Sequence, residues 1–248
     1  MARHKTRHPA CHRKASLMKK IWRWIWKIAA IGLLLLVVYQ VWIFAHLLWW
    51  IKFNPSTTAF MENRLAIMRE TKPDARLQYQ WVPYSKISGN LKRALVAAED
   101  ANFVDHEGFD WEGIQKAYKK DLKKGRIVAG GSTISQQLAK NLFLSGKRSP
   151  FRKMEEAVIT VMMEAVMDKE RIFEIYLNVI EWGDGVFGAE AASRHYYRIS
   201  ASQLSAAQAA KLAAMVPNPR YYDKHQNAKG LMKKTGIILS RMNDADIP

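Results

Sequence analysis

Gly130-Gly131-Ser132-Thr133-Ile134-Ser135-Gln136-Gln137-Leu138-Ala139-Lys140-Asn141 forms the middle of a run from Glu99 to Glu156 around which the chain is organised. Its glycines allow close backbone approach, and either hydroxyl can cap the helix that follows. On that helix Gln136 and Lys140 share one face while Ile134 and Leu138 share another. A polar stripe beside an apolar one suits a cleft wall. It is not a P-loop, because the G-x-x-x-x-G-K-S/T spacing is missing. Upstream lies an acidic cluster, Glu99-Asp100-Ala101-Asn102-Phe103-Val104-Asp105-His106-Glu107-Gly108. Adjacent carboxylates on a helix point about 100° apart, so Glu99 and Asp100 cannot form a tight dyad. One can face a cleft as a base while the other holds local structure. His106 reads as a residue that pins the loop, and Phe103 and Phe109 as packing.

Downstream the run turns basic, Lys147-Arg148-Ser149-Pro150-Phe151-Arg152-Lys153-Met154-Glu155-Glu156. Ser149-Pro150 is a helix start, a capping hydroxyl followed by proline at the first helical position. The first turn of a helix favours Asp or Glu. Here it carries Arg152 and Lys153, with Lys147 and Arg148 just outside. Cations crowded at the positive end of a helix break the local rule, and binding an anion such as a diphosphate would relieve them. A solvated basic loop pairing with Glu155 or Glu156 accounts for the pattern equally well. Glu156 is the natural second carboxylate, with Arg152 one turn before it to orient it.

Towards the N-terminus, Ile28 to Ile51 reads IAAIGLLLLVVYQVWIFAHLLWWI, 24 residues in which Gln40 and His46 are the strongly polar ones. A helix of that length spans ~36 Å, against a bilayer core of ~30 Å. Trp22, Trp24 and Trp26 flank one end and Trp49 and Trp50 the other, as interfacial rings do. Residues 1–27 hold nine of the 39 Lys and Arg and no Asp or Glu, which predicts a cytoplasmic N-terminus with everything after residue 51 outside. A signal peptide would have a shorter apolar region and a small-residue cleavage site. Residues 28–248 keep 30 basic against 22 acidic residues, a surplus that favours an anionic partner: nucleic acid, anionic lipid, or a lipid bearing phosphate. Cys11 is the sole cysteine, so no intrachain disulfide forms. His4, His8 and His12 read as a solvated basic arm rather than a metal site.

Beyond residue 51 the pattern predicts a juxtamembrane segment over 52–84, with a helix near Thr58–Glu70. Helices follow from Ile87 to about Glu99 and over Trp111–Lys124, Thr133–Phe143, Pro150–Met167, Lys169–Asn178, Val186–Tyr197, Ala201–Met215 and Ala228–Met242. No stretch alternates as a strand would. The class is mainly α. Ser16-Leu17-Met18-Lys19, Ser88-Gly89-Asn90 and Lys234-Thr235-Gly236 match short motifs of penicillin-binding enzymes. The first would lie across a bilayer from the other two, so the match is chance.

Four ordered blocks carry a resemblance: Glu99-Asp100-x-x-Phe103-x-x-His106-x-Gly108, Gly131-Ser132-Thr133-Ile134-x-Gln136-Gln137-x-x-Lys140-Asn141, Arg152-Lys153-x-x-Glu156 and Tyr176-Leu177-Asn178. They resemble the signatures of the peptidoglycan glycosyltransferases, family 51, over about 80–225. Ser135 and Phe173 stand where that family often has Thr and Leu. With a membrane helix and no transpeptidase part, the chain looks like a monofunctional transglycosylase. The resemblance implies a basic tail (1–27), a transmembrane helix (28–51), the juxtamembrane segment (52–84) and a lysozyme-like glycosyltransferase domain (85–248) with head and jaw lobes, the jaw dipping into the membrane. It implies polymerisation of lipid II into β-1,4 glycan strands with inversion and release of undecaprenyl diphosphate, at the inner membrane of a bacterium. Glu99 would be the general base and Glu156 the second catalytic carboxylate, orienting the cations or assisting a metal. Lys140, Arg148, Arg152 and Lys153 would hold the diphosphate, with Ser132, Thr133, Gln136, Gln137, Asn141 and Asn178 in the substrate cleft. A divalent cation such as Mg²⁺ is compatible with this chemistry, although nothing in the sequence requires one. The implied partners are lipid II, the growing strand, membrane lipids and other cell-wall synthesis proteins, not nucleic acid. The rival readings are a lysozyme-like lytic hydrolase and a non-catalytic basic membrane scaffold.

Overall fold

A computed structural model of the chain describes residues 9–124, 131–144 and 149–248. The chain divides into two units, residues 1–46 and 47–248. The first belongs to α1 (Pro9–Trp50), a helix that runs without a break from the basic tail into the apolar segment. Within it, Met18–Trp50 is apolar enough to cross a bilayer, and only 6% of its most apolar stretch is buried. A core helix of a soluble protein would be covered; this one exposes most of its apolar side chains, Ile43 and Leu47 being buried, as a lipid-facing helix does.

The second unit is mainly helical. In chain order it comprises α2 (Ala59–Thr71), α3 (Gly89–Glu99), α4 (Trp111–Lys124), α5 (Ile134–Phe143), α6 (Pro150–Val166), α7 (Lys169–Val179), α8 (Ala189–Tyr197), α9 (Ala206–Met215), α10 (Pro219–Lys224) and α11 (Lys229–Arg241). Helix α3 packs against α9 and α11, and α5 packs against α2, α6 and α7. Phe103, Phe173, Tyr176, Trp182 and Phe187 are fully buried between these layers, each worth about 1.5–3 kcal/mol by removal from water. Residues 52–84 belong to this same unit.

Three short strands were not expected. β1 (Gln78–Tyr79), β2 (Glu181–Gly183) and β3 (Val186–Phe187) form a sheet in the order β1-β3-β2. β1 runs parallel to β3 with Gln78 opposite Val186, and β2 runs antiparallel to it. The expected helix over 186–197 therefore begins only at Ala189. Gly188 separates the two at φ 84, where a Cβ would meet the Asn178 carbonyl oxygen at 2.6 Å. The helix expected over 201–215 is also split. Ala201–Gln203 makes a 3-10 turn before α9, and each has its own capping box, Ser200 with Gln203 and Ser205 with Gln208.

The sheet also anchors α2. Arg64 reaches Glu181 at 3.4 Å and pairs with Asp184, while Arg220 on α10 lies 3.6 Å from the other oxygen of Glu181. Burial pushes the Glu181 carboxyl up to about 7, and the two arginines offset only part of this. An unfolded Glu titrates near ~4.3, so the folded chain holds this proton more tightly. The stabilising contribution is complete below the unfolded value and is lost as pH rises through 7. Glu181→Gln should therefore flatten the decline in melting temperature between pH 5 and 8. Parallel declines in the two proteins would show that Glu181 is not its source.

Candidate active site

Glu99 is the last residue of α3, and the next residue turns away from the helix, which separates the two carboxylates. Asp100 is 7% exposed. Its Oδ2 accepts the Ile134 amide at 2.9 Å, and its Oδ1 lies 3.0 Å from His106 Nε2. Asp100 thus ties the loop after α3 to the start of α5, and His106 pins that loop. Lys169 closes it from the other side through the His106 carbonyl. Phe103 packs on Phe173 with centroids 5.5 Å apart.

The start of α5 is a capping box. Thr133 Oγ1 accepts the Gln136 amide at 3.2 Å, and Gln136 Oε1 accepts the Thr133 amide at 3.1 Å. Thr133 also donates to the Gly108 carbonyl at 2.7 Å. Gln136 is 4% exposed, so its amide serves the helix end instead of lining a cleft beside Lys140. The neighbouring Gln137 takes that place. Its Nε2 donates to Glu99 Oε2 at 3.0 Å, and its Oε1 accepts the Tyr176 hydroxyl at 3.1 Å. Asn141 is buried and does not line either cleft described next.

Two clefts meet here. One, of 220 Å³, has Glu99 in its wall with Ala98, Asp110, Gly113, Ser132 and Thr133. The other, of 580 Å³, is walled by Ser132, Gln137, Lys140, Arg152, Lys153 and Glu156. Ser132 belongs to both, and Gln137 touches Glu99 while facing the second. Glu99 and the cations therefore border adjoining spaces. Ser149 caps α6 as expected, accepting the Arg152 amide at 3.2 Å. Among the described residues, Arg152 Nε is buried without a hydrogen-bond partner. Glu156 is oriented by Lys153, three residues earlier, and not by Arg152. The Lys153 ammonium also lies 3.3 Å from Ser132 Oγ. Lys147 and Arg148 fall outside the described residues. Among the described residues no group of three or more His, Cys, Asp and Glu could hold a metal. Glu156 is a single carboxylate already engaged by an ammonium, which does not compose a divalent-cation site.

Burial pushes the Glu99 carboxyl up, and Lys234, Gln137 and Lys140 act against it. Lys234 on α11 lies 3.6 Å from Glu99 Oε1. The sequence offered this lysine only in the chance Lys234-Thr235-Gly236 match, and no local signal links it to residue 99. Tyr176 was legible only as part of a signature block.

Asn178 is fully buried, and its amide is spent on backbone. It accepts the Val82 amide at 2.9 Å and donates to the carbonyls of Val82 at 3.0 Å and Glu174 at 2.9 Å. It fastens the segment leading into α3 onto α7 and does not face the clefts.

A family model described as transglycosylase matches residues 66–243. The chain is 68% identical over 226 residues to a biosynthetic peptidoglycan transglycosylase of Laribacter hongkongensis (strain HLHK9), covering 91% of this chain and 99% of the relative. It is 66% identical over 223 residues to one of Methylobacillus flagellatus, covering 90% and 97%. A relative with the same description from Chromobacterium violaceum is 62% identical over 226 residues, covering 91% and 99%.

The position of Asn178 makes it a fastener. Asn178→Ala strands the Val82 amide and carbonyl and should cost on the order of 2–3 kcal/mol, read as a lowered melting temperature. An unchanged melt would contradict this role.

Proposed function

The chain belongs to the transglycosylase family, and from that premise we propose how its two clefts join sugars. It is a membrane-anchored peptidoglycan glycosyltransferase with a lysozyme-like helical domain, acting on lipid II and the growing glycan strand in cell-wall synthesis. The observation that carries the mechanism is the shared wall between the Glu99 cleft and the cationic cleft.

The acceptor sugar's 4-hydroxyl lies against Glu99 and the donor diphosphate against Lys140, Arg152 and Lys153. Glu99 Oε takes the hydroxyl proton as the oxygen attacks the donor's anomeric carbon. The new C–O bond forms on the face opposite the leaving group, and the bond to diphosphate breaks with its electron pair. The centre inverts from α to β. Diphosphate leaves as an anion, so neutralisation by fixed cations matters more than protonation. The unpartnered Arg152 Nε supports this assignment. Glu156 holds Lys153 in place, Ser132 borders both subsites, and Arg148 joins the cationic set by resemblance. Gln137 acts on the base rather than on the sugar.

The exposed side chains of α6 support a membrane-facing jaw. Phe151, Met154, Val158 and Val161 recur at spacings of three, four and three residues and make one apolar stripe. The nine cations before the apolar helix support a cytoplasmic N-terminus at the inner membrane, with the catalytic unit outside.

Incubation with labelled lipid II tests the reading: strand growth is expected, whereas cleavage of finished glycan without growth would favour a lytic enzyme. Glu99→Gln should reduce polymerisation at least ~10²-fold while leaving the melt and membrane insertion intact. An active variant would refute the base. Replacing Lys140 and Arg152 by Ala should raise the lipid II concentration needed for half-maximal rate, and unchanged turnover at low lipid II would remove them from the diphosphate site.

A further inference from the structure

The two oxygens of Glu99 are held from different sides. Oε2 accepts the Gln137 amide of α5 at 3.0 Å, and Oε1 faces the Lys234 ammonium of α11 at 3.6 Å. Lys234 is not in the wall of either cleft, and its side chain is 34% exposed. It reaches Glu99 from the side on which α11 packs against α3. We propose that Lys234 is a positioning residue for glycosyl transfer, the counter-ion that keeps Glu99 charged and aimed while the cleft cations are occupied by the donor. This rests on the reading of Glu99 as the base.

Four features make a counter-ion necessary. The carboxylate is largely buried, and it sits at the carboxyl end of α3, where the helix dipole opposes negative charge. A neutral amide at Oε2 orients the group but brings no charge. The second cation acting on Glu99 is Lys140, which stands in the wall of the cationic cleft. A diphosphate bound there draws on the charge of Lys140 at the moment the base must accept its proton. Lys234 stands outside that cleft, so its charge remains with Glu99 throughout the reaction.

The groups facing Glu99 come from several elements. Lys234 on α11 and Lys140 on α5 favour its charged form, whereas Tyr176 on α7 is itself pushed up by the charges of Glu99 and Asp100. Lys211 on α9, Lys229, Lys233 and Arg241 elsewhere on α11, and Asp244 beyond it are not among the groups that shift Glu99. The sign follows. Removing the nearest positive charge raises the Glu99 carboxyl further, so the base becomes protonated at a higher pH and the acidic limb of the rate profile moves up.

The test is the pH profile of lipid II polymerisation by the full chain from pH 5 to 9, for the unaltered protein, Lys234→Met, Lys234→Arg and Glu99→Gln. For Lys234→Met the acidic limb of kcat/KM should move up by about one pH unit, with a loss of roughly tenfold at pH 6 that narrows towards pH 9. The half-saturating lipid II concentration at pH 9 should stay the same. Lys234→Arg should restore the original limb. If Lys234→Met does not fold, as judged by its melt, Lys234→Gln carries the same expectation. A rate lowered evenly at every pH, with the limb unmoved, would overturn the proposal while leaving the base reading intact if Glu99→Gln is inactive. An active Glu99→Gln would overturn both.

Discussion

A carboxylate in a mostly dry position is the constraint on which this architecture depends. Burial and the end of α3 both favour the protonated form of Glu99, whereas on the proposed reading a base for hydroxyl deprotonation must arrive ionised. Gln137 and Lys234 meet that need from separate helices, and Tyr176 fixes which end of the Gln137 amide points to the carboxylate. Partial desolvation is useful in its own right. A carboxylate fully solvated and paired would be too weak a base to take a sugar hydroxyl proton.

Helix α5 is the bracket that holds the two halves of the site at a fixed separation. Its first turn is tied to the loop after Glu99 by Asp100, by the Thr133–Gln136 cap and by the Thr133 bond to Gly108. Further along the helix, Gln137 and Lys140 line the cationic cleft. The amino end of α5 is satisfied by these internal acceptors. Helix α6, by contrast, presents cations and a single hydroxyl cap at its start. Between the starts of α5 and α6, that of α6 is the one suited to an incoming anion.

Much of the helical layout was readable in the sequence because its signals are local. Thr58 and Ser149-Pro150 start helices where their chemistry says they should. That Glu99 and Asp100 cannot form a tight dyad was readable from their adjacency, although the structure parts them by ending α3 between them and not by the angle along a helix. The strands were not legible, since two or three residues cannot display alternation. The role of Gln136 was legible and missed: Thr133-x-x-Gln136 is a capping box read as part of a polar stripe. Asn178 and Lys234 fail for another reason. Asn178 acts on the backbone of Val82, and Lys234 meets Glu99 across helices far apart in sequence. No spacing rule reaches such contacts.

The pair between Lys153 and Glu156 has a kinetic side. On the proposed reading, an arriving diphosphate must take the ammonium from Glu156, and a departing one finds that carboxylate ready to reclaim it. The exchange lowers the hold on reactant and by-product alike. An ammonium with no competitor nearby would grip the spent polyprenyl carrier and stall the next round, so the resident acid works as an ejector.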